Sequence, residues 1–224
     1  MKRGFGLTVV GLLAAAAVFG QTATGTVQAV GSSTVNVTPD QAQLTVGVVT
    51  QGATAQEAGQ SNSVLATAVQ NALKGLIGTA GTIQTVGYSI SPRYSNGNTP
   101  TIIGYTASNT VQVTTTNLSI IGSLIDTANQ AGANNVSGVS FGLQNPEPVL
   151  QQALAAASKQ ALAHAGAMAS GLGVKTGAVV SAQEGTSYTP IIVNGAPSAT
   201  ASTPVQTGTV GVSATVTVTV ALVP

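Results

Sequence analysis

From Val210 to Leu222 every second residue is aliphatic: Val210, Val212, Ala214, Val216, Val218, Val220 and Leu222 alternate with Gly211, Ser213, Thr215, Thr217, Thr219 and Ala221. A two-residue period sends alternate side chains to opposite faces of an extended chain, so this segment reads as a long β-strand with one core face and one Thr-rich face. It contains no Lys, Glu or internal Pro to discourage pairing, so either neighbouring strands or another subunit must enclose it. A sheet is required, and the rest of the chain has to supply what covers it.

The same period recurs from Gln41, with Ala42, Leu44, Val46 and Val48 on one face and Gln41, Gln43 and Thr45 on the other. Pro39-Asp40 before it reads as a turn from an earlier strand around Thr34 to Thr38. Thr54 and Glu57 have the spacing of a capping box and open a helix whose apolar face is Ala58, Leu65, Val69, Ala72 and Leu76, with Gly75 and Gly78 at its stop. Ile83–Tyr94 and Thr101–Thr114 form an antiparallel hairpin across a turn containing Asn96-Gly97. A second helix spans Asn117–Gln130, with Ile120, Leu124 and Ala128 as its stripe and Gly132 closing it; Asn135–Leu143 is a strand. Asn145-Pro146 then caps a third helix with Leu150, Leu154, Ala157, Ala161, Ala165, Met168 and Leu172 on one face, where the many alanines imply close packing. A further strand lies near Ala178–Ala182, and Thr189–Thr207, rich in Pro, Gly, Ser and Thr, reads as a mobile loop. The expected fold is α+β, a largely antiparallel sheet with three helices packed on it, in a single domain over residues 26–224.

Composition narrows the function. Only 5% of the 224 residues are charged and 43% are hydrophobic, so the surface is built from Thr, Ser, Asn and Gln. Scattered basic residues leave no footprint for a nucleic-acid backbone. The absence of Cys removes disulfides, thiol catalysis and Cys-based metal sites, and a single His leaves little for metal binding or proton transfer. Aromatic residues, at 3%, are too few for the girdles of a membrane β-barrel. Lys2-Arg3 followed by the uncharged run Phe5–Phe19 has the form of a secretory signal over residues 1–25, cleaved after Gly20 or Gly25. The apolar run is too short to span a bilayer, so the cleaved product has no membrane span and is periplasmic or extracellular. Removing Lys2 and Arg3 from the six basic residues leaves four against five acidic ones, a net charge of −1.

Several ordered segments resemble the SIMPL-domain family, which includes bacterial oxidative-stress-defence proteins and immunogenic periplasmic proteins. They are Thr54-Ala55-Gln56-Glu57-Ala58, Ile83 through Pro92, Gly104-Tyr105-Thr106-Ala107-Ser108-Asn109, Ala131-Gly132-Ala133-Asn134, and Phe141-Gly142-Leu143, within a match from Val30 to Leu222. The resemblance implies an exported α+β envelope domain without an established enzymatic activity or cofactor. The third helix departs from the family habit of dense Arg, Lys and Glu, since only Lys159 and His164 interrupt its Ala, Gln and Ser.

Two constellations carry chemistry. Gly138-Val139-Ser140-Phe141-Gly142 matches the pattern of a nucleophile elbow, and with His164 it defines the alternative of a serine hydrolase. The motif lies inside a strand, however, and an elbow requires a sharp strand-to-helix turn. Tyr88 and Tyr105 fall on the two arms of the hairpin with Arg93 and Tyr94 near its tip, as an aromatic patch for a ligand or partner or as ordinary cross-strand packing. Among the acids, Asp40 belongs to a turn, Glu57 to the capping box, Asp126 to a helix surface and Glu147 to a helix start; Glu184 has no assigned place. The leading expectation is a non-catalytic envelope protein, with no cofactor or metal, that acts by binding an envelope partner or by assembling as a homo-oligomer. Its near-neutral surface gives little repulsion between copies.

Overall fold

The computed structural model describes residues 25–97, 99–185, 191–193 and 203–224. The export segment lies outside them, as does most of the expected loop from Thr189 to Thr207. Of that loop, Ile191–Val193 is a short strand and Thr203 is bonded to the second helix, so these two parts are held rather than free. The elements run β1 (Thr26–Val37), β2 (Gln41–Gly52), α1 (Ala55–Ile77), β3 (Gly81–Tyr94), β4 (Ile102–Thr115), a turn of 3-10 helix (Leu118–Ile120), α2 (Ile121–Gln130), β5 (Asn135–Gly142), α3 (Glu147–Gly171), β6 (Lys175–Gly185), β7 (Ile191–Val193) and β8 (Thr209–Val223).

The α+β class and, among the described residues, the three helices are as expected, but the described strands divide into two antiparallel sheets instead of forming one. In the first, β8 is central, with β1 on one side and β6 and β7 on the other. The terminal strand is thus enclosed by its own chain, and it needs no second subunit to pair it. The second sheet has the order β3-β4-β2-β5. The turn at Pro39-Asp40 passes the chain from one sheet to the other, because β1 finds its partner in β8 and β2 lies between β4 and β5. Asp40 binds the two crossing points together: its amide donates to the Gly142 carbonyl at 3.1 Å and its Oδ1 accepts from the Gln144 amide at 2.7 Å. The second sheet with α1 and α2 is therefore one continuous insertion between β1 and α3.

The capping box is formed as the spacing demands, with the Thr54 hydroxyl accepting from the Glu57 amide and the Glu57 carboxylate accepting from the Thr54 amide. The buried face of α1 is rotated from the expected one, to Ala58, Asn62, Ala66, Val69, Leu73 and Ile77, and Leu76 is exposed. Counting apolar residues could not select this stripe because it includes an asparagine. Asn62 is fully buried, and its Nδ2 donates to the carbonyls of Val48 (2.8 Å) and Ala107 (3.2 Å), pinning α1 to β2 and β4.

On the first sheet α3 buries Ala153, Ala157, Ala161, Ala165 and Ala169, a stripe repeating every four residues. Leu150 and Leu154 border it, while Met168 and Leu172, expected on this face, are exposed. Small side chains let the helix backbone sink onto β1, and Gly31 of β1 takes up the closest approach: a Cβ there would overlap the Ala157 carbonyl and lie 2.5 Å from the Ala161 amide nitrogen. Leu and Met are displaced to the margin for lack of room.

Candidate functional site

The five acidic side chains are dispersed, and four of them have hydrogen-bond partners. Asp126 accepts from the Thr203 hydroxyl at 2.7 Å, Glu147 accepts from Gln151 at 3.1 Å, and Asp40 and Glu57 serve the junction and the cap. Glu184 is an exposed residue of β6. Among the described residues no cluster of three His, Asp or Glu side chains exists.

The serine and histidine of the elbow motif are not brought together. Ser140 is an exposed mid-strand residue of β5, opposite Gln43, and β5 continues to Gly142 before α3 begins at Glu147. No strand-to-helix turn presents its hydroxyl. His164 stands on α3 over the other sheet, with Nδ1 held at 2.8 Å from the Val30 carbonyl oxygen. A carbonyl oxygen only accepts, so this nitrogen carries the hydrogen.

A cleft of about 410 Å³ lies at the α1–β3 turn, lined by Gln41, Thr79, Thr82, Thr114, Thr116 and Gln144 among others. It has no ionisable side chain. The Thr115 and Thr116 hydroxyls donate to the Ala80 carbonyl at 3.1 and 3.3 Å and so hold the turn in place.

Among the described residues, several exposed apolar side chains gather on the outer half of the β3–β4 hairpin. Near its base Ile83 and Thr85 lie opposite the buried Val113 and Val111. Between Thr85 and Gly87 the register shifts, with Val86 as the extra residue of a bulge, and a second shift follows Arg93. From that bulge onward Val86, Tyr88, Ile90, Tyr94, Ile102 and Ile103 are each 38–58% exposed, a concentration of apolar and aromatic surface on the hairpin. Tyr88 and Ile90 reach toward α1 beside Gly59, where any Cβ would stand 3.4 Å from the Tyr88 hydroxyl. The tyrosines do not pair with each other: Tyr88 lies opposite Asn109, and Tyr105 opposite Pro92. Arg93 extends over Gly104 to donate to the Gln51 side chain at 2.6 Å, tying the tip of β3 to β2. The tip is thus braced by a polar bond and still presents its apolar residues to solvent.

Sequence reasoning singled out Tyr88, Arg93, Tyr94 and Tyr105 here but not the aliphatic partners Val86, Ile90, Ile102 and Ile103. Their β-branched chemistry reads equally well as core, and only the register distinguishes the two. Gln160, which binds a strand edge through its side chain, gave no signal in the sequence, and Asn134, which does the same, stood out only as part of the segment Ala131-Gly132-Ala133-Asn134.

Residues 27–220 match the family model described as SIMPL, a protein of unknown function (DUF541). The chain is 31% identical over 160 residues to the 26 kDa periplasmic immunogenic protein of Brucella melitensis and equally to that of Brucella abortus, an alignment covering 69% of this chain and 64% of each relative. It is also 38% identical over 78 residues to the uncharacterized protein YggE of Edwardsiella ictaluri, covering 35% of this chain and 33% of that protein. With the family model covering nearly all of the two-sheet domain, the chain belongs to the SIMPL family.

Proposed function

We propose that this is an exported, non-catalytic protein of the periplasm that works by protein–protein contact through the outer half of the β3–β4 hairpin, its partner being a second copy of the chain. The observation that carries the reading is the exposed set Val86, Tyr88, Ile90, Tyr94, Ile102 and Ile103. Apolar surface concentrated in this way marks interaction sites on soluble domains. Export is supported by Lys2-Arg3 with the apolar run after it, and by Brucella relatives named as periplasmic. No described helix is long and apolar enough to cross a membrane. Self-association is favoured over a charged partner because the mature chain is close to neutral and the patch offers Arg93 alone as a charge, already bonded to Gln51. A part in oxidative-stress defence rests on the family resemblance.

Light scattering on the mature protein across a wide concentration range tests the reading. The parent should form a defined oligomer, and Tyr88→Lys with Ile103→Lys, both at exposed positions, should leave a folded monomer. A monomeric mass for the parent throughout the range overturns it, and an oligomer unchanged by the two lysines removes the hairpin from the interface.

A further inference from the structure

Among the described residues β1 is an edge strand of the first sheet, paired with β8 along one side. In an antiparallel ladder the peptide groups of alternate residues point to opposite sides. The Gly25 carbonyl accepts from the Leu222 amide at 2.7 Å, so the odd-numbered residues of β1 face β8, and Gln28, Val30, Ser32 and Thr34 direct theirs outward. Such a row of free donors and acceptors is a template for another strand.

Two of those outward groups are already taken by side chains of α3. The Ser32 amide donates to Gln160 Oε1 at 2.6 Å, and His164 Nδ1 donates to the Val30 carbonyl at 2.8 Å. The match is geometric: four residues of helix rise about 6 Å, and two residues of strand about 6.6 Å, so side chains one turn apart on α3 meet successive outward groups of β1. The close seating of α3, permitted by Gly31 and the alanine stripe, brings both within reach of the edge. Beside them an apolar groove of about 470 Å³, lined by Gln28, Val30, Ala167 and Met168 with His164 at its wall, would receive the side chain of an incoming strand.

The second sheet has the same kind of device. β5 covers β2 from Gln41 to Gly47, and the next outward peptide group, that of Val49, is bonded at both ends by one side chain: its amide donates to Asn134 Oδ1 at 2.8 Å and its carbonyl accepts from Asn134 Nδ2 at 2.7 Å. A chain with 5% charged residues lacks the lysines and glutamates that commonly protect strand edges. Here neutral side chains occupy the edge itself.

We infer that Gln160 and His164 are edge guards that close β1 to strand addition, so that copies of the chain cannot associate through that side of the first sheet. The inference does not depend on the hairpin reading, and its test is made in the Tyr88→Lys/Ile103→Lys background, where hairpin contacts do not contribute. Gln160→Ala with His164→Ala should keep the parent's circular dichroism but gain a concentration-dependent increase in mass. Adding Ser32→Pro, which removes an outward donor that an edge strand can spare, should abolish that increase. In the monomer, the Ser32 amide should exchange with solvent about tenfold faster once Gln160 is removed. A mass distribution unchanged by the two alanines overturns the inference. If the double variant does not fold, Gln160→Ala alone decides through the Ser32 amide, and an unchanged exchange rate there is equally fatal.

Discussion

Gly31→Ala is the smallest substitution with a large expected effect. The added methyl cannot be accommodated by a rotamer change, since the atoms it meets are the backbone of α3 at Ala157 and Ala161. A carbon 2.5 Å from the Ala161 nitrogen, and nearer still to the Ala157 carbonyl oxygen, has to retreat to the ordinary contact distance of 3.4 Å, so the helix must lift from β1 by at least about 0.9 Å, and a gap of that size forfeits about a quarter to a half of each dispersion contact across it. The five buried alanines share that interface, and none has a flexible end that could fill the gap. Overpacking against rigid groups costs roughly 3 kcal/mol at the upper end of its usual range. For a domain of this size that is a fall of about 6–12 °C in melting temperature. Gly75→Ala and Gly166→Ala are the controls: both glycines are helical with no neighbouring atom within 4 Å of the added carbon. Each should gain about 0.5–1 kcal/mol from helix propensity. Thermal and urea unfolding of the three variants read the differences. A Gly31→Ala protein melting within about 2 °C of the parent would refute the close-approach argument.

Thr54→Ala should cost about 1 kcal/mol in urea unfolding by removing half of the capping box, and Thr54→Ser should recover most of it. Val216→Lys places an ammonium group among the α3 alanines on the central strand and should destabilise by more than about 4 kcal/mol; a cost below about 1 kcal/mol would mean that β8 is not the core strand. N-terminal sequencing of protein from the envelope fraction should begin near Gln21 or Thr26, and an intact Met1 on the abundant form would contradict export with cleavage.

Features governed by near neighbours were legible in the sequence. The alternation in β8, the Thr54–Glu57 cap, the Asn96-Gly97 turn and the start of α3 near Pro146 each depend on a few adjacent residues, and each is found where the pattern places it. Features set by distant pairs were not. The division into two sheets follows from β1 choosing β8, and the rotation of α1 follows from Asn62 reaching the carbonyls of Val48 and Ala107. His164 read as an isolated helix residue because its partner, the Val30 carbonyl, is a backbone atom far away in the chain. The aromatic half of the hairpin patch was visible as residue type, but its exposure depends on the two register shifts that carry it beyond the core.

The insertion of the second sheet between β1 and α3 also orders the events of folding. The inserted unit can assemble from chain that is contiguous, whereas Thr26 must wait for Ala221, at the opposite end of the domain, before β1 has any partner strand. Closing so long a loop makes the first sheet the slow step, with β1 unpaired in the interval. A chain released while still being synthesised would hold a finished second sheet and an incomplete first one. In the export proposed above, passage of the chain unfolded would deliver β1 and β8 to the same compartment together, which suits this connectivity.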